Sequence, residues 1–304
     1  MRALVLSGAG NFGALQAGAL QPLVEAGFRP DLIVGTSAGA LTGLLLASDP
    51  TPDGVRRVQA AWQQVGLREI GIPGLLGSVR RLVTSKDSLV PNIPLARFVA
   101  RSLGMELTTF GELEALHGVR ARTIAVCMET GELVAFGDRD DDRLIDGAMS
   151  STALPPYLPP WRAAGRRYLD GGVLSKLPLL PAIERGATQI VAINVTNVAG
   201  HADTARGMVS IAGYALSLAI EGMTQREVDL ARRAGIELRL LDLNAPADVA
   251  FWDFAHADRL IAAGRQAAQA WLDESPLQFR SPWRTAVRVR LAQIGGRMEQ
   301  MAGR

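Results

Sequence analysis

Short apolar runs alternate with longer amphipathic stretches in the first part of the chain. Residues 3–6 and 32–34 are apolar at every position, which is typical of strands buried on both faces of a sheet. Residues 12–26 repeat apolar positions at helical spacing and stop at Gly27, and a second helix is predicted over residues 39–47. The chain is therefore predicted to open as strand, turn, helix, strand, turn, helix.

The same alternation continues further along the chain. Strands are predicted over residues 123–128, 132–136, 190–195 and 236–241. Helices are predicted over residues 55–64, 95–103, 178–184, 205–234 and 257–272. Buried strands that alternate with helices indicate an α/β fold with helices on both faces of the sheet. From residue 279 onward arginine recurs, so we expect a main domain over residues 1–275 and a basic tail over residues 276–304, which could form a terminal helix.

Composition narrows the class of protein. The 304 residues are 48% hydrophobic, enough for a large core, and a net charge of only +2 argues against a nucleic-acid partner. The one cysteine, Cys127, lies in an apolar run, so we expect a buried thiol and no internal disulfide. The first apolar run is too short for a signal peptide, and residues 208–223 are short for a membrane span. We therefore expect a cytoplasmic location.

The first motif with chemical meaning is G-T-S-A-G at residues 35–39, which fits G-x-S-x-G between a predicted strand and a predicted helix. In that setting the serine stands on a sharp turn, the nucleophile elbow, with its hydroxyl exposed. Gly35 and Gly39 would support the turn, because two backbones nearly touch there. The motif predicts Ser37 as a nucleophile.

A second glycine motif, G-A-G-N-F-G at residues 8–13, follows the first strand and opens a helix. It also matches the dinucleotide fingerprint, but that site needs an acid at the end of the second strand, and Asp31 precedes this strand. Beside a serine elbow, free N–H groups at a helix start would instead bind the oxygen of a tetrahedral intermediate.

The proposed proton acceptor is Asp170, which lies in a D-G-G turn with Gly171 and Gly172. Burial would have to raise its pKa for it to act as a base. Histidines 117, 201 and 256 lie in no triad-like local motif, although spatial partners leave a triad open.

Two other acidic features are weaker candidates. Asp146 satisfies D-G-[GA], but we expect it near the start of a helix. The acidic run at residues 138–142 lacks the glycine and the distal glutamate of a calcium loop, so a solvated turn is favoured over a metal site.

In this order, the glycine loop, G-x-S-x-G and D-G-G resemble the signature of patatin-like phospholipases. The segments at residues 128–133 and 150–160 also resemble that family, and the resemblance covers about residues 3–272. It implies a three-layer α/β/α fold with a mostly parallel central sheet, and it implies no cofactor or metal. The roles that it implies are nucleophile for Ser37, base for Asp170, and an oxyanion hole at Gly8, Ala9, Gly10 and Asn11.

Two departures from the family pattern bear on the substrate. Ala9 replaces a glycine, and Phe12 stands where the family usually has a basic residue. These departures argue against a preference for phospholipids more than against ester hydrolysis by Ser37 and Asp170. We expect a serine lipid acyl hydrolase that forms an acyl-enzyme. Acyl transfer by the same pair of residues, or a catalytically weak lipid-binding protein, remain alternatives.

The sequence also offers two segments for contact with an anionic membrane surface. Residues 70–83 are apolar, glycine-broken and basic at their end, and the tail carries arginines beside apolar positions. A core-covering loop and a solvated terminal helix are the respective alternatives. The expected partner is a lipid ester, and nothing in the sequence indicates an oligomeric state.

Overall fold

The structure, a computed structural model, describes residues 1–66, 90–104, 108–196, 206–251 and 253–279. Three features singled out in the sequence lie outside these residues: the apolar segment 70–83, His201, and the basic tail from residue 280 onward.

The predicted strands and helices are present, with bounds that shift by a few residues. The strands are β1 (Arg2–Leu6), β2 (Leu32–Thr36), β3 (Arg120–Cys127), β4 (Leu133–Phe136), β5 (Trp161–Ala163), β6 (Arg166–Asp170), β7 (Gln189–Thr196) and β8 (Glu237–Asn244). The helices are α1 (Gly13–Glu25), α2 (Ala38–Ser48), α3 (Pro52–Gln64), α4 (Ile93–Leu103), α5 (Phe110–His117), α6 (Leu144–Ser151), α7 (Leu179–Glu184), α8 (Met208–Arg233) and α9 (Ala257–Glu274). Short 3-10 helices cover Gly10–Phe12, Gly171–Val173 and Phe254–His256.

The strands form one mixed, mostly parallel 8-stranded sheet. Strands β3, β2, β1, β7 and β8 are neighbours in that order, and all of these pairs are parallel. Strands β4 and β6 pair antiparallel with β3, and β5 pairs antiparallel with β6. Since β1 and β2 are parallel neighbours, their carboxyl ends open at the same edge of the sheet.

Helices cover both faces of this sheet. Alternate residues of β1 point to opposite sides: Leu4 and Leu6 join a core with α1, α2, α3 and α9, whereas Ala3 and Val5 join a core with α7 and the end of α8. The predicted three-layer α/β/α architecture is confirmed. Among the helices that the structure describes, none is long and apolar enough to cross a membrane.

The position of β6 along β3 is the feature that assembles the site. Thr36, at the end of β2, pairs with Ile124 of β3, and Asp170, at the end of β6, pairs with the next residue, Ala125. Strand β4 pairs with both of these residues of β3. Since β4 occupies one edge of β3, β2 and β6 must follow one another along the other edge. Their carboxyl ends therefore meet, and they bring Ser37 and Asp170 to one place.

Candidate active site

Ser37 occupies the turn between β2 and α2 with φ 55° and ψ −121°, a strained conformation for a residue with a side chain. The neighbouring glycines leave no room for a side chain. A Cβ on Gly35 would lie 2.3 Å from the carbonyl oxygen of Gly39, and one on Gly39 would lie 2.4 Å from that of Leu6. The backbone thus takes the predicted form of a nucleophile elbow, with Ser37 partly exposed.

Ser151 supports this turn, and the sequence did not indicate that role. The backbone N–H of Ser37 donates to Oγ of Ser151 at 2.9 Å, and the Ser151 hydroxyl donates to the carbonyl of Ile124 at 2.6 Å. Ser151 is fully buried at the end of α6, in the segment that resembled the family. This chain of hydrogen bonds ties the elbow to β3.

Asp170 is only 1% exposed, and its Oδ1 accepts a hydrogen bond from the N–H of Gly172 at 2.7 Å. Burial raises the pKa of Asp170 to about 7, although the nearby Ser37 hydroxyl and the Gly172 N–H offset part of that rise. Its Oδ2 has no hydrogen bond of standard geometry within the described part of the chain. The Ser37 hydroxyl is thus near enough to affect the pKa of Asp170, although the two side chains form no hydrogen bond of standard geometry.

The glycine loop after β1 lies against the elbow, since a Cβ on Gly8 would stand 3.4 Å from Cβ of Ser37. The N–H of Gly8 donates to the carbonyl of Lys176 at 2.9 Å and is not free. The N–H groups of Ala9 and Gly10 have no acceptor among the residues described, and both residues line the same cavity as Ser37. These two amides are therefore available as donors to a group bound in this cavity.

Asn11 serves the loop differently, because its side-chain amide donates to the carbonyls of Ala250 and Asp253 at 2.9 and 2.7 Å. These bonds hold the loop against the segment after β8. Phe12, which takes the place of the family's usual basic residue, is fully buried and packs near the ring of Phe251, with 6.4 Å between ring centroids.

Two cavities meet at Ser37. A narrow pocket of about 80 Å³ is almost wholly apolar, and its walls include Leu41, Trp62, Leu95, Phe98 and Leu158. A wider cavity of about 400 Å³ also contains Asp170 and is walled by the D-G-G turn, the proline-rich segment and α8. Ser37 thus stands between an apolar pocket and a larger, more polar one.

The wider cavity contains an ion pair that the sequence did not reveal. Nζ of Lys176 donates to Oε2 of Glu221 at 2.9 Å, and both side chains line the cavity. Lys176 follows the D-G-G turn, and Glu221 lies in α8. No short motif links residues so distant in sequence, so no local signal could have paired them.

The histidines that the structure describes lie away from Ser37. Nε2 of His117 is 3.0 Å from the carbonyl oxygen of Ser48, at the end of α5. His256 is 3.2 Å from a carboxylate oxygen of Asp253. Neither histidine lines a cavity that contains Ser37.

The other acidic candidates have partners of their own. Asp146, in the first turn of α6, accepts a hydrogen bond from the indole of Trp161 at 2.8 Å. Asp138 pairs with Arg122 and Arg185, and Asp31 accepts the N–H of Arg2 at the opposite end of β1 from the glycine loop. Within the described ranges, no group of three His, Cys, Asp or Glu residues could hold a metal ion.

The chain is similar to known proteins over much of its length. Patatin-like phospholipase domain-containing protein 7 of Mus musculus is 26% identical over 197 residues, which cover 64% of this chain and 13% of that protein. Lysophospholipase NTE1 of Scheffersomyces stipitis is 29% identical over 194 residues, which cover 63% of this chain and 11% of that protein. The chain therefore spans only a small fraction of the length of the curated relatives that it matches.

Two solved structures also align with most of the chain. VipD from Legionella pneumophila aligns over 90% of this chain and 67% of its own, at 16% identity and a TM-score of 0.49. ExoU of Pseudomonas aeruginosa, solved in complex with SpcU, aligns over 90% of this chain and 52% of its own, at 15% identity and a TM-score of 0.47.

A family model decides the assignment. The model described as patatin-like phospholipase matches residues 4–183, more than half of the chain, and this range contains the glycine loop, the serine elbow and the D-G-G turn. The resemblance drawn from the sequence is confirmed: the chain belongs to the patatin-like phospholipase family, a family of lipid ester hydrolases.

Proposed function

We propose that this protein hydrolyses carboxylic esters of lipids through Ser37 and Asp170, by way of an acyl-enzyme. The observation that carries the proposal is the meeting of a strained serine elbow with a buried aspartate whose pKa is raised to about 7. A carboxylate with that pKa is a far better proton acceptor near neutral pH than an ordinary aspartate.

In the first step, Oγ of Ser37 attacks the ester carbonyl carbon while Asp170 takes the hydroxyl proton. The carbonyl oxygen becomes an oxyanion, which the N–H groups of Ala9 and Gly10 would stabilise. The start of α2, which follows Ser37 directly, adds the positive end of a helix dipole.

Collapse of the tetrahedral intermediate breaks the bond to the alcohol oxygen, which takes the proton from Asp170 and leaves. The acyl group then remains on Ser37 as an ester. Water attacks this ester and passes a proton to Asp170, and the second collapse returns that proton to Ser37 and releases the carboxylic acid.

The two cavities suggest how the substrate is oriented. The apolar pocket suits the acyl chain, since its walls are mainly aliphatic and aromatic side chains. The wider cavity would then hold the alcohol portion, where Lys176 is available to an anionic group. That group would have to compete with Glu221, which already pairs with Lys176.

Labelling by a fluorophosphonate, followed by mass mapping of the labelled peptide, tests the proposal. The label should appear on Ser37, and Ser37→Ala should abolish both labelling and hydrolysis of p-nitrophenyl butyrate. His117→Ala and His256→Ala are the matched controls, and both should keep the activity. A label on another residue, or a histidine variant as inactive as Ser37→Ala, would contradict the mechanism.

A further inference from the structure

The first half of α8, residues 208–220, is an apolar segment that is largely exposed where the structure describes its side chains, and we call it the apolar arm. Its sequence, MVSIAGYALSLAI, contains no charged residue. Met208 is 85% exposed, Ile211 54% and Leu218 46%. Apolar helical surface of this kind in a globular protein normally has a partner, because leaving it in water is unfavourable.

The second half of the same helix is anchored in the fold. Val228 and Ala231 are buried in the core on that face of the sheet. The buried carboxylate of Glu227 accepts hydrogen bonds from the Ser175 hydroxyl and from the N–H of Leu180, the latter at 3.0 Å. The apolar arm thus extends from a fixed base.

The apolar arm also forms one wall of the cavity that contains Ser37 and Asp170. Residues 213, 214, 216, 217 and 220 line that cavity from the helix side. The ion pair between Lys176 and Glu221, at 2.9 Å, joins the end of the apolar arm to the loop after the D-G-G turn. The apolar arm therefore borders the cavity that contains Ser37, and Leu216, which is 48% exposed, belongs both to its exposed surface and to the cavity wall.

We propose that the apolar arm is the surface by which the protein docks on a lipid aggregate, with the cavity opening turned toward the lipid. The inference rests on the proposed function, because a lipid ester is held mainly in membranes or micelles. A second copy of the chain seated on the apolar arm would bury residues that wall the cavity, whereas a lipid surface would bring the substrate to them. Apolar residues that lie in such an interface contribute binding in proportion to the area they bury.

Binding is measured first, with Ser37→Ala protein and phosphatidylcholine vesicles in a flotation assay. The test variant carries Met208→Ser, Ile211→Ser and Leu218→Ser, none of which lines the cavities at Ser37. The matched control carries Ile93→Ser, Leu116→Ser and Leu133→Ser, which remove exposed apolar residues elsewhere. We expect at least about a tenfold loss of vesicle binding for the test variant alone. Binding should change little with salt, since it is not driven by charge.

A positional probe tests the orientation. The chain's one cysteine, Cys127, is buried, so an environment-sensitive dye can be attached at Leu218→Cys and, as a control, at Leu116→Cys. The dye at position 218 should become brighter and shift to shorter wavelength on addition of vesicles, and the dye at position 116 should not.

Activity separates this inference from the proposed function. With an intact Ser37, the test variant should hydrolyse monomeric p-nitrophenyl butyrate at the wild-type rate but lose about tenfold on vesicle-borne ester, in line with its lost binding. Unchanged vesicle binding, no binding by either protein, or a dimer that the three substitutions dissociate would each overturn the inference. If vesicles bind through the apolar arm while no ester is cleaved, the proposed function fails and the docking surface stands.

Discussion

The turn that ends β2 and the turn that ends β6 bring one side chain each to the same point by different means. Ser37 has φ 55° and is partly exposed, in a turn where the flanking glycines have no room for a side chain. Asp170 has φ −51° and ψ 129°, an unstrained conformation, but it is 1% exposed and its pKa is raised to about 7. The first turn is distinguished by its strained backbone, and the second by the burial of its carboxyl group.

The difference follows from the chemistry each group would perform. A serine hydroxyl gains reactivity from its position relative to a base and an oxyanion site, so a rigid turn serves it. A carboxylate is already a good hydrogen-bond acceptor in any turn and needs a higher pKa to remove a proton, which burial supplies. Substitutions should therefore act through geometry at the first turn and through protonation at the second.

The largest expected effect comes from Asp170→Asn. The amide oxygen can still accept the Gly172 N–H, but the side chain can no longer take a proton. We expect kcat/KM for p-nitrophenyl butyrate to fall by about 10⁴-fold or more, close to the loss in Ser37→Ala, because the proposed mechanism uses the two residues as a unit. The double variant should be no worse than either single one. Activity above a tenth of wild type would mean that another group is the base.

The pH dependence of the wild-type rate should show the same group. In the proposed mechanism Asp170 has to be deprotonated, and its pKa is raised to about 7, so kcat/KM should rise about tenfold per pH unit below that value and level off above it. At pH 5 the rate should then be about 100-fold below the plateau. A profile that is already flat from pH 5 upward would show that the working base has an ordinary carboxylate pKa.

The elbow should instead be sensitive to volume. A Cβ at Gly39→Ala would lie 2.4 Å from the carbonyl oxygen of Leu6, so β1 or α2 must shift. We expect the free energy of unfolding in urea to fall by about 3 kcal/mol, with loss of activity. Gly222→Ala is the matched control at an exposed position of helix α8, with no neighbouring atom within 4 Å, and it should be neutral or stabilising by up to about 1 kcal/mol. If Gly39→Ala and Gly222→Ala changed the free energy of unfolding equally, a steric clash at Gly39 would not be the cause.

The burial of Asp170 should also be visible in stability. Its pKa is higher in the folded chain, about 7, than the usual 3.8, so folding retains a proton that the unfolded chain releases. The free energy of unfolding of the wild type is thus expected to fall as the pH rises from about 4 to about 7. Asp170→Asn should not show this fall, because its side chain does not titrate. The variant should gain on the order of 4 kcal/mol over wild type between pH 4 and pH 8. A pH-independent difference in unfolding free energy would argue against a protonated Asp170.

The smallest effect is expected for Asp146→Asn. This substitution tests whether the proposed base is Asp170 of the D-G-G turn or Asp146, which also fits the motif. Asp146 lines no cavity with Ser37, and an amide oxygen can still accept the Trp161 indole N–H. Activity and melting temperature should stay within about twofold and a few degrees of wild type. A large loss of activity would reassign the base to Asp146.

Local patterns were sufficient for much of the fold and for both side chains of the proposed mechanism. Strands β1 and β2 are apolar at nearly every position, and apolar residues recur in helix α1 at helical spacing. Each of these patterns can therefore be recognised within a short stretch of sequence. The elbow and the D-G-G turn were also readable, because glycine is required wherever backbones approach closely. The short strands β5 and β6 were not predicted: β6 opens with two arginines, and besides its hairpin partner β5 it pairs with β3, which lies far earlier in the chain.

The tertiary structure alone decided how these parts work together. Ser37 meets Asp170 because β6 continues the line of β2 along β3, and Asp170 has a raised pKa because the surrounding layers exclude water. The ion pair of Lys176 with Glu221 depends on the same packing. The apolar arm shows the reason most directly: a run of apolar residues has the same local pattern whether it is buried or exposed, and only the placement of the rest of the chain determines which.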